Sequence, residues 1–244
     1  METNSRKYYL TPTFGDSFGT GWNVMSDQFL RLLLVVIVLS IVDAPLKLVN
    51  FKFDPTDLNF HHFEIENFLK LATFGVFAAF MGLIGLLYYF LVAPVFRYGS
   101  KLMFVQAVRQ ERPDFDLLIK GFRENYLSII LANLLVTALI TIGIFALIIP
   151  GIIVACRLVF TGFIVMDKKL DPVESLELSW KLTRGHGWTI FFMGLTSVFL
   201  FIFGLMMLIV GIFPVGVWVG SSFAALYEST LREHERLSGV NQAA

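Results

Sequence analysis

Two ionisable residues interrupt otherwise apolar stretches: Asp43 within Phe29–Val49 and Arg157 within Gly151–Met166. A charge at the centre of a bilayer costs ~2.5–3.5 kcal/mol on insertion scales, so such residues face a helix bundle or a water-filled cavity. Arg157 lies inward of Pro150-Gly151, and Asp43 inward of the far end of its own stretch. At 1.5 Å per residue both fall roughly 9–10 Å from the same boundary. The shared depth predicts that the two meet, either as an ion pair that fixes the fold or as a polar site for a substrate or lipid headgroup. Asn133, Thr137 and Thr141, at four-residue spacing, form a polar stripe expected to bond a neighbouring helix or to line a pathway.

The other residues with chemical potential have plainer readings. His61-His62 with Glu64 and Glu66 have the side chains of a metal site but not a ligand spacing. Glu174 and Glu177 could pass for a carboxylate pair, yet Glu174 closes a capping box on Asp171 and Glu177 pairs with Lys181 four residues on. Ser175 and Ser179 have no evident base. His186, between two glycines at a helix end, suits a cap or a headgroup contact. No Gly-rich phosphate loop or CxxC motif occurs. The chain is therefore read as a non-enzyme without metal or cofactor.

The elements that must position these residues are helices in a membrane. Of 244 residues, 56% are hydrophobic and 16% charged, against about 25% charged in soluble domains. Mean hydropathy is +0.72, and the 26 Phe make the excess bulky. A soluble fold would leave much of this surface exposed. The net charge of zero gives no reason to expect nucleic acid. The single cysteine, Cys156, excludes an intrachain disulfide and reads as a core residue. The polar opening residues carry no signal-peptide pattern.

Hydropathy and punctuation predict an all-α fold: one polytopic membrane domain over residues 1–244, with six spans. These are about 29–49, 69–96, 126–149, 151–166, 188–210 and 214–227. Between Tyr126 and Met166 the only charge is Arg157, and the break between two spans is placed at Pro150-Gly151. Three amphipathic helices, 14–28, 114–125 and 172–184, precede the hairpins and are expected on the cytoplasmic side; their similar ends reflect either a threefold internal repeat or the general preference of interfaces for aromatics beside positive residues. Thr13 with Asp16, and Asp171-Pro172 with Glu174, mark two helix starts. Glycines at 82, 85, 194, 204, 216 and 220 allow close helix approach. For Gly216 and Gly220 that means packing within the chain ahead of an oligomer contact.

Lys and Arg fix the orientation. The loop after the second span, the Lys168–Arg184 segment and both tails carry nearly all of them, whereas Lys47, Lys52 and Lys70 stand on the other side. Both termini are expected in the cytoplasm and the acidic 51–67 loop outside.

The order Pro150-Gly151, Asp167, Glu174-Ser175, Ser179-Trp180, Gly185-His186 and Tyr227-Glu228, with the opening FGDSFGTGW, carries a resemblance. It resembles an uncharacterised bacterial six-span family related to the membrane domain fused to some glycerophosphoryl diester phosphodiesterases. The resemblance covers nearly the whole chain and is most specific over 148–190. It implies a six-helix fold of the bacterial inner membrane and no reaction, since the fused proteins keep their chemistry in a separate soluble domain. The function expected is a non-catalytic scaffold, partner subunit or regulator of membrane state. A transporter or lipid-handling protein with a polar site at Arg157 and Asp43 is the alternative. Membrane lipids are the expected partners, and a membrane protein or a second copy of this chain fits the same reading.

Overall fold

The computed structural model describes residues 10–48, 65–207 and 210–242, with side chains described over 10–44, 75–207 and 210–239. Among these residues the structure is helical and contains no strand. Five helical runs are long and apolar enough to cross a membrane: Phe14–Ala44, Gly75–Val108, Tyr126–Ala146, Ile148–Asp167 and Gly187–Met206.

The first helix, α1 (Phe14–Leu48), starts at the expected box. The Thr13 hydroxyl donates to Asp16 Oδ2 at 2.6 Å and accepts the Asp16 N–H at 3.4 Å, and Thr11 donates to the same carboxylate. The helix leaves helical geometry at Gln28 (φ −128°, ψ 30°). That kink falls where the amphipathic segment gives way to the first predicted span. Beyond it, Leu32 and Val35 are fully buried against the last helix, α10 (Ile212–Gln242).

Helix α2 (Ile65–Leu87) runs through a π-helical turn, Tyr88–Val92, into α3 (Ala93–Val108). Pro94 accounts for the turn: it has no N–H, and its ring would meet the carbonyl four residues back. The Ala93 N–H instead reaches Tyr88 O, five residues back, and the chain continues. The second predicted span, 69–96, is thus the first part of a longer helical run. After α3 come α4 (Leu117–Arg123) and α5 (Tyr126–Ala146). Gly99 of α3 faces the Leu117 carbonyl so closely that a Cβ has no room.

The next connection corrects the sequence reading. The break between α5 and α6 (Ile148–Arg157) falls at Leu147, in extended geometry (φ −168°, ψ 144°), and not at Pro150-Gly151. Pro150 sits in the first turn of α6, where its missing N–H leaves no intrahelical bond unmade. Gly151 serves close packing: a Cβ there would meet the Ile144 backbone, and one on Gly143 would meet Gly151. The fourth predicted span, 151–166, is two helices, α6 and α7 (Thr161–Asp167), separated at Leu158–Phe160.

Helix α8 (Pro172–Leu182) starts where expected, with Pro172 at its first position. Asp171, however, makes no side-chain cap bond; its carbonyl accepts the Ser175 N–H at 2.8 Å. Gly185, at φ +91°, turns the chain toward α9 (Gly187–Met206) in a region that L side chains rarely adopt. Helix α10 extends well past the predicted end at Tyr227. Its apolar half reaches only to Tyr227 before Glu228, and it is not among the five crossing-length runs.

The core follows α10. Val217, Ala224, Leu226 and Tyr227 are fully buried, and Ala225 nearly so. Gly216 lies on Val36 of α1 and Gly220 on the Phe104 ring of α3, so this small-residue pair packs within the chain. The opposite ends of α5 and α9 turn apolar side chains outward; Phe145 is 88% exposed. Such surface is what a bilayer covers.

Candidate functional site

The two charged residues singled out by depth do not meet. Asp43 accepts a hydrogen bond from Arg97 Nη2 at 2.7 Å, and Arg97 also lies over the Tyr89 ring at 5.3 Å. Arg157 Nη1 donates to the Thr183 carbonyl at 2.8 Å, with its guanidinium 5.7 Å from the Trp180 ring centre. Depth along two helices says nothing of their rotation or of which helices are neighbours. Arg157 closes the end of α6 against α8. Its own carbonyl, left free where α6 stops, accepts the Ser179 hydroxyl at 2.8 Å and the Thr183 hydroxyl at 3.3 Å. Ser179 and Thr183 are fully buried in this contact.

The polar stripe also changes meaning. Thr137 donates to the Asn133 carbonyl of its own helix at 2.7 Å, and Thr141 is exposed. The expected bond across to a neighbouring helix is replaced by a local one, which a threonine makes without a partner. His61, His62, Glu64 and the Glu66 side chain lie outside the described residues. His186 Nε2 stands 3.4 Å from Glu233 of α10. Glu177 and Lys181 form the expected surface pair at 3.9 Å. Among the described residues no three His, Cys, Asp or Glu gather as a metal site.

Among the described residues the densest charged cluster centres on Arg109, and it gathers Asp167 and Tyr227-Glu228, which the sequence marked only through the resemblance. Arg109, just after α3, makes two parallel hydrogen bonds to Asp167 at the end of α7, Nη1 to Oδ1 at 2.6 Å and Nη2 to Oδ2 at 2.8 Å. Its Nε donates to Glu228 Oε2 of α10 at 2.9 Å. Tyr227 donates to Asp167 Oδ2 at 2.9 Å, and Arg232 Nε to Glu228 Oε1 at 2.8 Å. Asp167 and Glu228 each keep only 7% side-chain exposure and Arg109 26%. Burial works against the charge on Arg109. The hydrogen bonds to Asp167 and Glu228 and the two negative charges outweigh it and raise the guanidinium above its ordinary pKa.

Planar guanidinium and carboxylate fit one another fork to fork, which is why an arginine suits this place. Two cations face two anions, and both carboxylates are engaged on both oxygens. Tyr227 itself stacks on Phe163 at 5.2 Å between ring centres and tilts against Phe160 at 5.7 Å. The arrangement locks α3, α7 and α10 at one level. Apart from the resemblance, its signal in the sequence was slight: a glutamate directly after a long uncharged stretch, and an arginine four residues later.

Comparison with protein-family models, with curated proteins and with solved structures finds no match for the chain.

Proposed function

We propose that this chain is a non-catalytic, six-span protein of a bacterial inner membrane that serves as a scaffold, a partner subunit or a regulator of membrane state. The observation that carries the reading is the use made of the charges. Arg109, Asp167, Glu228 and Arg232 hold three helices together, Arg97 holds Asp43, and Arg157 fastens α6 to α8. Each of these groups is engaged by the protein's own atoms.

Both termini lie in the cytoplasm in this proposal, on the strength of the lysine and arginine bias. The apolar half of α10, from Pro214 to Tyr227, is the sixth span. The start of α1, α4 and α8 lie along the inner surface. Half-exposed Trp22, Ile119 and Trp180 give these segments an apolar side toward the bilayer. The resemblance to the membrane domain of glycerophosphoryl diester phosphodiesterases belongs to the same proposal. Asp167 and Glu228, which carry part of it, gather on Arg109, and Tyr227 donates to Asp167.

The test compares purified wild type with Arg157→Leu by thermal unfolding and by mass spectrometry of retained lipid. A variant that melts lower and keeps the same bound lipid supports the scaffold. A variant that melts like wild type but has lost one specific lipid or small molecule overturns it in favour of lipid handling.

A further inference from the structure

Lys101 is a charged residue of the helical core that is set against aromatic rings. It lies on α3, four residues after Arg97, so the two share one side of the helix. Its ammonium has no carboxylate within ion-pair distance among the described residues. It is set instead against two rings, 5.3 Å from the centre of Tyr98 and 5.2 Å from that of Phe163. The stem lies across Gly162 of α7, where a Cβ would run into Nζ. Both rings are buried, while Lys101 keeps part of its surface exposed.

Ring faces attract an ammonium but accept none of its three N–H bonds in the way an oxygen does. Those donors are oriented and left without an anion. Arg97 has one carboxylate, Asp43 at 2.7 Å, and remains partly exposed. Among the described residues the pair of cations therefore exceeds its anion by one charge, beside buried rings where an uncompensated charge is costly. The crossing run Gly75–Val108 has 34 residues, longer than the ~20 a bilayer core requires. With the second span ending at residue 96, as proposed, Arg97 and Lys101 follow it where headgroups begin.

We infer that Arg97 and Lys101 form a site for a singly charged phosphate group, carried by a membrane lipid or free in solution. Arg97 offers the guanidinium N–H groups that Asp43 leaves untaken, and Lys101 offers a point charge held in place by its rings. The inference rests on the proposal that the chain spans a membrane.

The test places wild type, Lys101→Met, Lys101→Arg and Lys181→Met in nanodiscs of phosphatidylglycerol and phosphatidylcholine and measures the lipid retained after extraction. Lys181 is an exposed lysine that, among the described residues, pairs with Glu177 alone, so it controls for loss of surface charge. Wild type and Lys101→Arg retain phosphatidylglycerol selectively, Lys181→Met does the same, and Lys101→Met retains it about tenfold less. Equal retention by Lys101→Met, or an equal loss by Lys181→Met, overturns the site.

A titration with inorganic phosphate separates the sources. Phosphate that displaces the lipid shows a site for the phosphate group itself, and a lipid that stays shows a site for the whole headgroup. Should Lys101→Met not fold, the ¹⁵N signal of the wild-type Lys101 ammonium carries the test. A shift on adding phosphatidylglycerol supports the site, and an unmoved signal overturns it. Recovery of wild type in the membrane fraction is scored separately, so failure of the spanning proposal shows there and failure of the site shows in the retained lipid.

Discussion

Arg109 and Asp167 stand 58 positions apart in sequence and share two hydrogen bonds, of 2.6 and 2.8 Å. Among the described residues the carboxylate has no other cation, and Tyr227 also donates to it. Removing one member of a buried pair leaves the other charged and unmatched, at a cost of ~3–5 kcal/mol. Since Arg109 is partly exposed, the cost here falls toward the lower figure. Glu228 links the same guanidinium to the last helix, so one residue holds the end of α3, the end of α7 and the middle of α10.

The Arg97–Asp43 pair ties α1 to α3 under weaker constraint, because both side chains keep about a third of their surface exposed. Arg97→Asp and Asp43→Arg each lower the melting temperature, by about 1 kcal/mol of stability. The double exchange recovers part of the loss. Arg157→Asp combined with Asp43→Arg recovers none, since those two residues do not touch. Melting curves in a single detergent check both statements.

The α5–α6 hairpin closes on two glycines. Gly151→Val forces its side chain into the Ile144 backbone, and Gly143→Val into Gly151. Each destabilises by about 1–3 kcal/mol, as added methyl groups do in a packed contact. Gly194→Val, with open space at its Cβ position, melts close to wild type. An equal loss at all three positions would point to a general intolerance of bulk rather than to this contact.

A pH effect follows from Glu124, which accepts a hydrogen bond from Lys169 at 2.9 Å. That bond holds its carboxyl below the ordinary value of 4.5. A carboxyl lowered in the folded state stabilises above the unfolded value, and the contribution is lost as pH falls through the lowered one. The difference in melting between wild type and Lys169→Met is therefore present at pH 7. It vanishes well below pH 4.5.

Several helix starts and bends were legible in the sequence because they are marked locally. Thr13 and Asp16 start α1, Gln28 bends it where the amphipathic pattern ends, and Asp171-Pro172 opens α8. The contacts of the site were not legible, for a physical reason. Arg109 reads as one more basic loop residue until α7 and α10 bring carboxylates to it from 58 and 119 positions away. The Asp43–Arg157 expectation failed on the same ground: residue counts along single helices give neither helix rotation nor neighbours. Pro150-Gly151 misled because proline is tolerated in a first helical turn and glycine in a close contact, and the turn itself fell on an ordinary leucine, Leu147.

The proposed orientation has its own check. In a Cys156→Ala background, Leu147→Cys is labelled by an impermeant maleimide from outside intact spheroplasts. Ser238→Cys is labelled only after the membrane is opened. The reverse pattern would place the termini outside.

The most direct test of the central claim, that these charges hold the helices together, is a double-mutant cycle on Arg109→Met and Asp167→Asn, read by thermal unfolding alongside the retained lipid. The account predicts that each single variant loses about 3 kcal/mol. The double variant then loses less than their sum by at least about 1 kcal/mol, and the lipid profile does not change. Additive losses, or variants that melt like wild type but shed a specific ligand, would contradict it.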